Sequence, residues 1–443
     1  MSCKAQEGIL SYGRKNMTSA ALISYIEKNN LDIRLCELYG EDQLARQRER
    51  YLSAINEFCA LYGDDRDISV FSVSGRSELS GNHTDHNRGC VIAASINLDI
   101  IAIASARDDG VIRVKSDGYD EITVDTNEYT NPDAALFGTS ASIIAGMCRG
   151  ISDCGHNVGG FDAYMTSSVL KGSGLSSSAA FEVMIGNIEN HFYNGGKINN
   201  VEIAKLAQKA ENVFFGKPCG LMDQVACAHG GIVAIDFFDT SAPIIEKMDF
   251  DITGAGYKLC IVDTGGSHAD LTDDYAAIPR EMKSVAGFFG KDVLRNIDES
   301  ELYRNIPALR EKYGDRAILR ALHFMSENKR VRVQKQALTD GNLELYLENV
   351  ISSGKSSFCY LQNVYTTKNV REQGLSLALA LAEGYLSTRG GAYRVHGGGF
   401  AGTVQAYVRS EDADGFAALM DSAFGEGACL VLQIRRDGAI KII

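Results

Sequence analysis

The stretch LKGSGLSSSAAFEV, residues 170–183, combines a glycine-rich turn with serines and the start of an apolar helix. Gly172 and Gly174 permit positive φ and close backbone approach. Such a turn entering a helix presents free N–H groups and the positive end of the helix dipole, which favours an anion such as phosphate. The hydroxyls of Ser177 and Ser178 could also bind a phosphate or a magnesium ion. A capped helix following a simple loop is the alternative.

Two further glycine motifs are weaker evidence for a nucleotide site. SSGKSS, residues 352–357, lacks the leading glycine of a Walker A loop because position 349 is Asn, so Lys355 is expected on a loop or helix surface. Gly397 to Gly402 forms a G-x-G-x-x-G, but a strand is predicted after it instead of a helix. A tight hairpin is therefore expected there, not a dinucleotide site.

The polar stretch GNHTDHNRG, residues 81–89, allows three interpretations. His83, Asp85 and His86 could be metal ligands. Residues 82–84 match a glycan acceptor sequence. The density of amides, carboxylates and imidazoles beside apolar strands also suits the hydroxyls of a sugar. Spacing alone does not separate the metal and sugar interpretations.

Composition narrows the class of protein. The net charge of −13 argues against a nucleic-acid binder, which would show a basic face. Eleven scattered cysteines without a C-x-x-C pair favour reduced thiols, and the N-terminus lacks the apolar core of a signal peptide. We therefore expect a cytoplasmic protein, in which the glycan acceptor match is a coincidence. The apolar run CVIAASINLDIIAIAS is interrupted by Asn97 and Asp99 and predicts a buried strand pair, not a membrane span.

The element pattern predicts an α+β fold. Helical spacing over residues 17–62 is followed by strand-like runs from Ile68 and then by further helices and a second series of strands, without strict βαβ alternation. The segment ENVFFGKPCGLMDQVACAHGG, residues 211–231, places Asp223 near a predicted helix start. An acid there would cap the helix or act as a catalytic base.

Together these stretches resemble the galactokinases of the GHMP kinase superfamily. GRSELSGNHTDHNRG, KGSGLSSSAA, CGLMDQ, SHADLTDDYAAIPREM and RVHGGGFAG follow the order of that family's motifs. The resemblance spans roughly residues 38–408. It implies a two-domain fold, with a ribosomal S5 domain 2-like half over residues 1–215, a ferredoxin-like half over 216–443, and the active site between them.

The resemblance also implies the activity and the roles of single residues. The expected reaction is ATP-dependent phosphorylation of the anomeric C1 hydroxyl of galactose, with ATP and Mg²⁺ bound, no nucleic acid or membrane partner, and a monomeric chain. Asp223 would accept or orient the hydroxyl proton, and Arg76 would balance phosphoryl charge and depress the pKa of Asp223. The implied sugar contacts are Asn82, His83, Asp85, Tyr275 and Gly220. The implied nucleotide contacts are Lys171, Gly172, Ser173, Gly174, Leu175, Ser176, Ser177 and Ser178, and the implied metal ligands are Ser178 and Glu211.

Departures from the family pattern concern the substrate more than the reaction. The family's glutamate before H-T-D, expected to meet the C6 hydroxyl of the sugar, is Asn82, and its asparagine after the arginine is Glu78. His86, Ser74 and Asp263 also replace the tyrosine, proline and asparagine of the pattern. A related sugar (galacturonate, arabinose or N-acetylgalactosamine) is therefore an alternative substrate. A catalytically silent sugar and ATP sensor, or a metal-dependent hydrolase using His83, Asp85 and His86, are alternatives of other classes.

Overall fold

The computed structural model describes residues 17–128, 132–169, 174–217, 219–266 and 271–443. Strands and helices mix without βαβ alternation, which confirms the α+β class. Within these ranges no helix is both long enough and apolar enough to cross a membrane.

Thirteen strands lie in the described ranges. They are β1 (Met17–Thr18), β2 (Asp67–Ser80), β3 (Cys90–Arg107), β4 (Val111–Ser116), β5 (Ile122–Asp125), β6 (Gly160–Ser167), β7 (Ile232–Asp236), β8 (Ile244–Met248), β9 (Tyr257–Asp263), β10 (Ala392–Val395), β11 (Thr403–Arg409), β12 (Cys429–Leu432) and β13 (Ala439–Lys441).

Fourteen α-helices accompany them in the same ranges. They are α1 (Ser19–Glu27), α2 (Asp32–Tyr39), α3 (Leu44–Tyr62), α4 (Ser140–Asp153), α5 (Ser177–Tyr193), α6 (Asn200–Lys209), α7 (Met222–His229), α8 (Thr272–Phe288), α9 (Glu299–Arg304), α10 (Ile306–Tyr313), α11 (Asp315–Thr339), α12 (Leu343–Ser356), α13 (Gly374–Leu386) and α14 (Ala413–Phe424). Lys355 is exposed on α12, as the sequence predicts.

The first sheet has nine strands and follows the path β1-β2-β3-β6-β4-β5. β7 pairs with β3 and β8, and β13 pairs with β2. One face packs on a core shared with α4 to α7, and the other packs on α1 to α3. Because β7 and β8 belong to this sheet, the sheet continues past the expected domain boundary at residues 215 and 216. The boundary itself stays a prediction.

The expectation of a strand pair over CVIAASINLDIIAIAS is wrong, because β3 runs through it as one strand of 18 residues. Asp99 can lie inside this buried strand because its carboxylate is paired. Arg50 Nη1 lies 2.7 Å from one oxygen, and Arg435 Nη1 lies 3.1 Å from the other. A buried charge with such partners avoids most of the desolvation cost that would otherwise break the strand.

The second sheet has the order β10-β11-β9-β12 and is wholly antiparallel. Its strands follow in chain order as strand, helices, two strands joined by a glycine turn, helix and strand. This is the βαββαβ arrangement of a ferredoxin-like unit. A strand follows Gly397–Gly402, as predicted, so the G-x-G-x-x-G motif closes a hairpin.

β2 connects the fold to the candidate site. Register shifts between Ser74 and Arg76 and between Glu78 and Ser80 interrupt its pairing with β3. Bulges of this kind re-aim side chains next to active sites. Residues from Ile68 to Ser80 are buried along the strand, so the polar side chains of its second half face protein and not solvent.

Candidate active site

Asp223 and Arg76 form a bidentate ion pair. The Nε of Arg76 lies 2.7 Å from Oδ1 of Asp223, and Nη2 lies 2.6 Å from Oδ2. Asp223 is in the first turn of α7, where Leu221 is the N-cap residue. The carboxylate of Asp223 therefore does not cap this helix. A planar, two-bond pair fixes both side chains and leaves about a third of Asp223 exposed to a ligand.

The charge state of Asp223 follows from this geometry. Burial raises the pKa of the carboxyl, but the charge and hydrogen bonds of Arg76, with the hydroxyl of Ser176, outweigh burial and hold the pKa below its usual value. The group is thus an anion at neutral pH. It can accept a hydrogen bond from a hydroxyl and orient it, while its low pKa limits how far it can pull the proton before phosphoryl transfer.

The described part of the glycine-rich stretch contacts the same ion pair. Gly174 has φ +69° and Ser176 φ +59°, and α5 begins directly afterwards. The carbonyl of Gly174 accepts from Arg76 Nη1, and the carbonyl of Leu175 accepts from the backbone N–H of Arg76 at 3.1 Å. The hydroxyl of Ser176 donates to Asp223. The N-terminus of α5 therefore opens beside the carboxylate.

Three predicted nucleotide contacts, Lys171, Gly172 and Ser173, lie outside the described residues. Ser177 and Ser178 form the first turn of α5, and the side chain of Ser178 is exposed. Free N–H groups at this end of the helix are available to an anion.

Glu211 lies in a π-helical turn, Ala210–Phe215, that continues α6. One carboxylate oxygen accepts from Lys217 Nζ at 3.0 Å and the other from Gln224 Nε2 at 3.0 Å. The same amide nitrogen lies 3.1 Å from Oε2 of Glu182. Burial, and then the charge of Glu211, raise the pKa of Glu182 to about 8. Two buried carboxyl groups therefore share one amide donor.

This acidic group fits the predicted metal position by its chemistry. Ser178 and Glu182 lie four residues apart on α5 and so share a helix face. Hydroxyl and carboxylate oxygens are the hard donors that Mg²⁺ prefers. In the described ranges there is no group of three or more His, Cys, Asp or Glu side chains that could hold a metal ion.

The stretch 81–89 forms a loop, not a strand. His83 has φ +57°, and Asp85 to Asn87 make a single 3₁₀ turn. His83 Nε2 lies 3.0 Å from the carbonyl oxygen of Gly398, and its Nδ1 lies 3.3 Å from His86 Nε2. Burial lowers the pKa of His86 well below its usual value, with a further contribution from the charge of His83.

Asp85 lies against Gly220, in the segment that leads into α7 and Asp223. A Cβ built on Gly220 would lie 2.4 Å from Oδ2 of Asp85, so a larger residue at position 220 would displace this carboxylate. Burial raises the pKa of Asp85; the charge of His83 opposes this, and the charge of Asp223 adds a smaller increase. The loop of residues 81–89 and the Asp223–Arg76 pair therefore face one another across Gly220.

Tyr275, on α8, packs on the glycine turn, which we define as residues 396–402. Its hydroxyl donates to the carbonyl of Gly399 at 2.6 Å, and a Cβ on Gly398 would lie 2.5 Å from its ring. Its ring meets Phe400 edge-on at 5.3 Å. Tyr275 thus fixes the glycine turn to α8. Its implied contact with the sugar stays a prediction.

Asn82 lies in the interior, with no exposed surface. Its partners are protein groups on the glycine turn, on β2 and after α12.

Sequence reasoning did not single out two residues in this region. His396, on the turn, lies 3.1 Å from Ser77 Oγ and 2.8 Å from Thr403 Oγ1. Asn363 donates to Asn82 at 2.8 Å. Neither was given a role by its motif or spacing, and their roles arise only from long-range contacts.

Comparison with known proteins identifies the family. Residues 142–231 match the model of the GHMP kinases N terminal domain, and residues 56–106 match the galactokinase galactose-binding signature. A galactokinase of Streptomyces coelicolor is 32% identical over 375 residues, which cover 83% of this chain and 91% of that protein. The chain belongs to the galactokinase family. It is accordingly a sugar kinase, and ATP is the phosphoryl donor of that family.

Other relatives agree. A galactokinase of Enterococcus faecalis is 28% identical over 84% of this chain and 93% of that protein. The crystal structure of Lactococcus lactis galactokinase complexed with galactose superposes with a TM-score of 0.73 at 25% identity, covering 88% of this chain and 100% of that one. A mevalonate kinase structure, with a TM-score of 0.58 at 16% identity over 82% of this chain and 98% of that one, shares the fold.

Proposed function

We propose that the protein transfers the γ-phosphoryl group of ATP to the anomeric C1 hydroxyl of galactose, giving galactose 1-phosphate and ADP. The observation that carries this proposal is the Asp223–Arg76 pair. It contacts Gly174 and Ser176 of the glycine-rich stretch and faces the loop of residues 81–89 across Gly220. In this proposal the ATP site and the sugar site meet at the carboxylate of Asp223 and the guanidinium of Arg76.

The residues of this chain would then act as follows. Asp223 orients the C1 hydroxyl, whose oxygen forms the new bond to the γ-phosphorus as the bond to the β,γ-bridging oxygen breaks. The proton of the hydroxyl passes to Asp223, and ADP leaves. Arg76 offsets the negative charge on the transferring group, which is where phosphoryl transfer needs stabilisation.

Binding groups surround this centre. The backbone of the phosphate loop from Lys171 to Ser178 would hold the ATP phosphates. Ser178 and Glu211 would hold Mg²⁺, which would neutralise part of the negative charge of the ATP phosphates. His83, Asp85 and Tyr275 would hold the sugar hydroxyls, with Gly220 closing the site. We further propose that residues 1–215 and 216–443 form the two domains and that the chain acts as a cytoplasmic monomer.

The test is ADP release with ATP, Mg²⁺ and a panel of galactose, galacturonate, arabinose and N-acetylgalactosamine. We expect turnover of galactose, a loss of about 10²-fold or more in the Asp223→Asn variant, and no change in Asp239→Asn, an exposed control. Turnover of another panel sugar but not galactose would overturn the substrate. Binding of both ligands without ADP release would overturn the kinase and favour a sensor.

A further inference from the structure

Every side-chain hydrogen-bonding position of Asn82 is used inside the protein. Its Nδ2 donates to the carbonyl of Gly397 at 2.6 Å and lies 3.2 Å from Oε1 of Glu78. Its Oδ1 accepts from Asn363 Nδ2 at 2.8 Å and from Ser357 Oγ at 3.3 Å. An amide has two donor hydrogens and two acceptor lone pairs, so these four contacts exhaust it. With no exposed surface, Asn82 has nothing left to offer a ligand.

Asn363 completes a clamp on the glycine turn. Its Nδ2 also lies 3.1 Å from the carbonyl oxygen of Gly398, and its backbone carbonyl accepts from the N–H of Phe400. A Cβ on Gly399 would collide with that carbonyl oxygen. The side chains of Asn82 and Asn363 therefore bind the carbonyls of two consecutive residues of the turn, Gly397 and Gly398.

The same turn also contacts residues of the candidate site. The carbonyl of Gly398 is shared with His83, and the carbonyl of Gly399 accepts from Tyr275. The turn also lies against the phosphate loop, since a Cβ on Gly174 would be 3.5 Å from Nδ1 of His396. A shift of the turn would displace His83 and Tyr275 together, because one backbone segment carries both contacts.

An ion pair fixes the clamp. Glu78 Oε1 accepts from Arg394 Nη2 at 2.6 Å, and both side chains are buried. Arg394 lies on β10, directly before the turn, and also donates to the carbonyl of Leu79 at 3.0 Å. Asn82 thus bridges an anchored carboxylate on β2 and the carbonyl of Gly397.

We propose that Asn82 is a positioning residue that fixes the glycine turn and, through it, the sugar pocket, without touching the sugar. The consequence concerns specificity: the group at C6 of the substrate is not sensed by position 82. This inference rests on the proposed sugar 1-kinase function.

The test compares Asn82→Ala and Asn363→Ala with the exposed control Asn30→Ala. The substrates are D-galactose, 6-deoxy-D-galactose and L-arabinose, which share the configuration of the ring hydroxyls and differ only in the substituent on C5: CH₂OH, CH₃ and H. Values of kcat/KM are measured well below each variant's thermal midpoint, and inhibition constants against galactose serve for weak substrates. We expect kcat/KM of both clamp variants to fall about 10-fold, which is equivalent to about 1.4 kcal/mol. The factor should be the same for all three sugars.

Two outcomes would overturn the role. A selective loss of galactose in Asn82→Ala, with 6-deoxygalactose and L-arabinose unaffected, would mean direct contact with the C6 hydroxyl. Unchanged kinetics in a variant with a lowered thermal midpoint would mean that the clamp is structural only. If the wild-type chain phosphorylates none of the three sugars, the proposed substrate fails instead. The clamp is then measured on whichever sugar of the wider panel is turned over, with the same two variants.

Discussion

Compared with the family pattern, positions 78 and 82 have exchanged acid and amide: this chain has Glu78 and Asn82 where the family has asparagine and glutamate. Returning a glutamate to position 82 should therefore destabilise the protein, by an amount that follows from the distances. In Asn82→Glu, a carboxylate replaces an amide nitrogen that now lies 3.2 Å from Oε1 of Glu78. Two anions about 4 Å apart repel by about 4 kcal/mol at an effective dielectric constant of about 20. The alternative is to protonate one of them, which costs about 3.7 kcal/mol at pH 7 for a glutamate with its ordinary pKa. The penalty at pH 7 is therefore about 4 kcal/mol.

The same reasoning gives the pH dependence. In Asn82→Glu, repulsion between the two carboxyls raises the pKa of one of them in the folded state above its value in the unfolded chain. The variant is therefore destabilised increasingly as pH rises from the unfolded pKa to the folded pKa, and the destabilisation disappears below the unfolded pKa. At pH 5.5 protonation costs about 1.6 kcal/mol, so the penalty should fall to about 2 kcal/mol. When protonated, the carboxyl group introduced by Asn82→Glu could also donate to the carbonyl of Gly397.

The assay is scanning calorimetry at pH 7 and pH 5.5. An unfolding entropy of about 2.1 cal/mol/K per residue makes each kcal/mol worth roughly 1 °C for a chain of this length. Asn82→Glu should lower the midpoint by about 4 °C at pH 7 and about 2 °C at pH 5.5. The matched control Asn30→Glu, on an exposed turn, should shift it by less than about 0.5 °C.

A second variant tests the pairing itself. Adding Glu78→Gln to Asn82→Glu restores one acid and one amide, so the double variant should show a favourable coupling of about 2–3 kcal/mol relative to the sum of the single changes. Additive single effects, or a pH-independent penalty in Asn82→Glu, would refute the reasoning that positions 78 and 82 form one buried unit.

Three further predictions concern other parts of the molecule. Arg76→Lys keeps the charge but loses the bidentate geometry, so kcat should fall by about 10²-fold and the acid limb of its pH profile should move upwards as the pKa of the partner carboxylate rises; an unchanged profile would argue against the pair. Gly399→Ala should lower both stability and kcat/KM, because its Cβ would collide with the Asn363 carbonyl, whereas Gly384→Ala, a helical position with open space, should be neutral or stabilising. Glu189→Gln removes a buried carboxyl whose pKa burial raises to about 8. Relative to the wild type, the variant should become more stable as pH rises from about 4.5 to 8, by up to a few kcal/mol, and the difference should stay constant above pH 8. A difference that calorimetry finds to be the same at every pH would contradict this.

Local signals in the chain were enough to establish the α+β class and most helix and strand positions, because apolar periodicity and glycine punctuation act over short distances. The family also follows from the sequence, because the motifs are contiguous and ordered. Asp223 and Arg76 could be named from these motifs, although 147 residues separate them. The error in the strands, at residues 90–107, arose because a buried Asp99 looks like a break until its arginine partners are known.

The contacts of the polar residues at the centre are set by the fold instead. The motif suggests a ligand-binding role for Asn82, yet its partners Gly397 and Asn363 lie 315 and 281 residues away along the chain. Glu78 likewise meets Arg394, 316 residues away along the chain, only in the folded protein. Hydrogen-bond capacity is a property of the residue, but whether protein or ligand uses it depends on which backbone groups the fold brings within about 3 Å. Spacing along a chain carries no record of that distance.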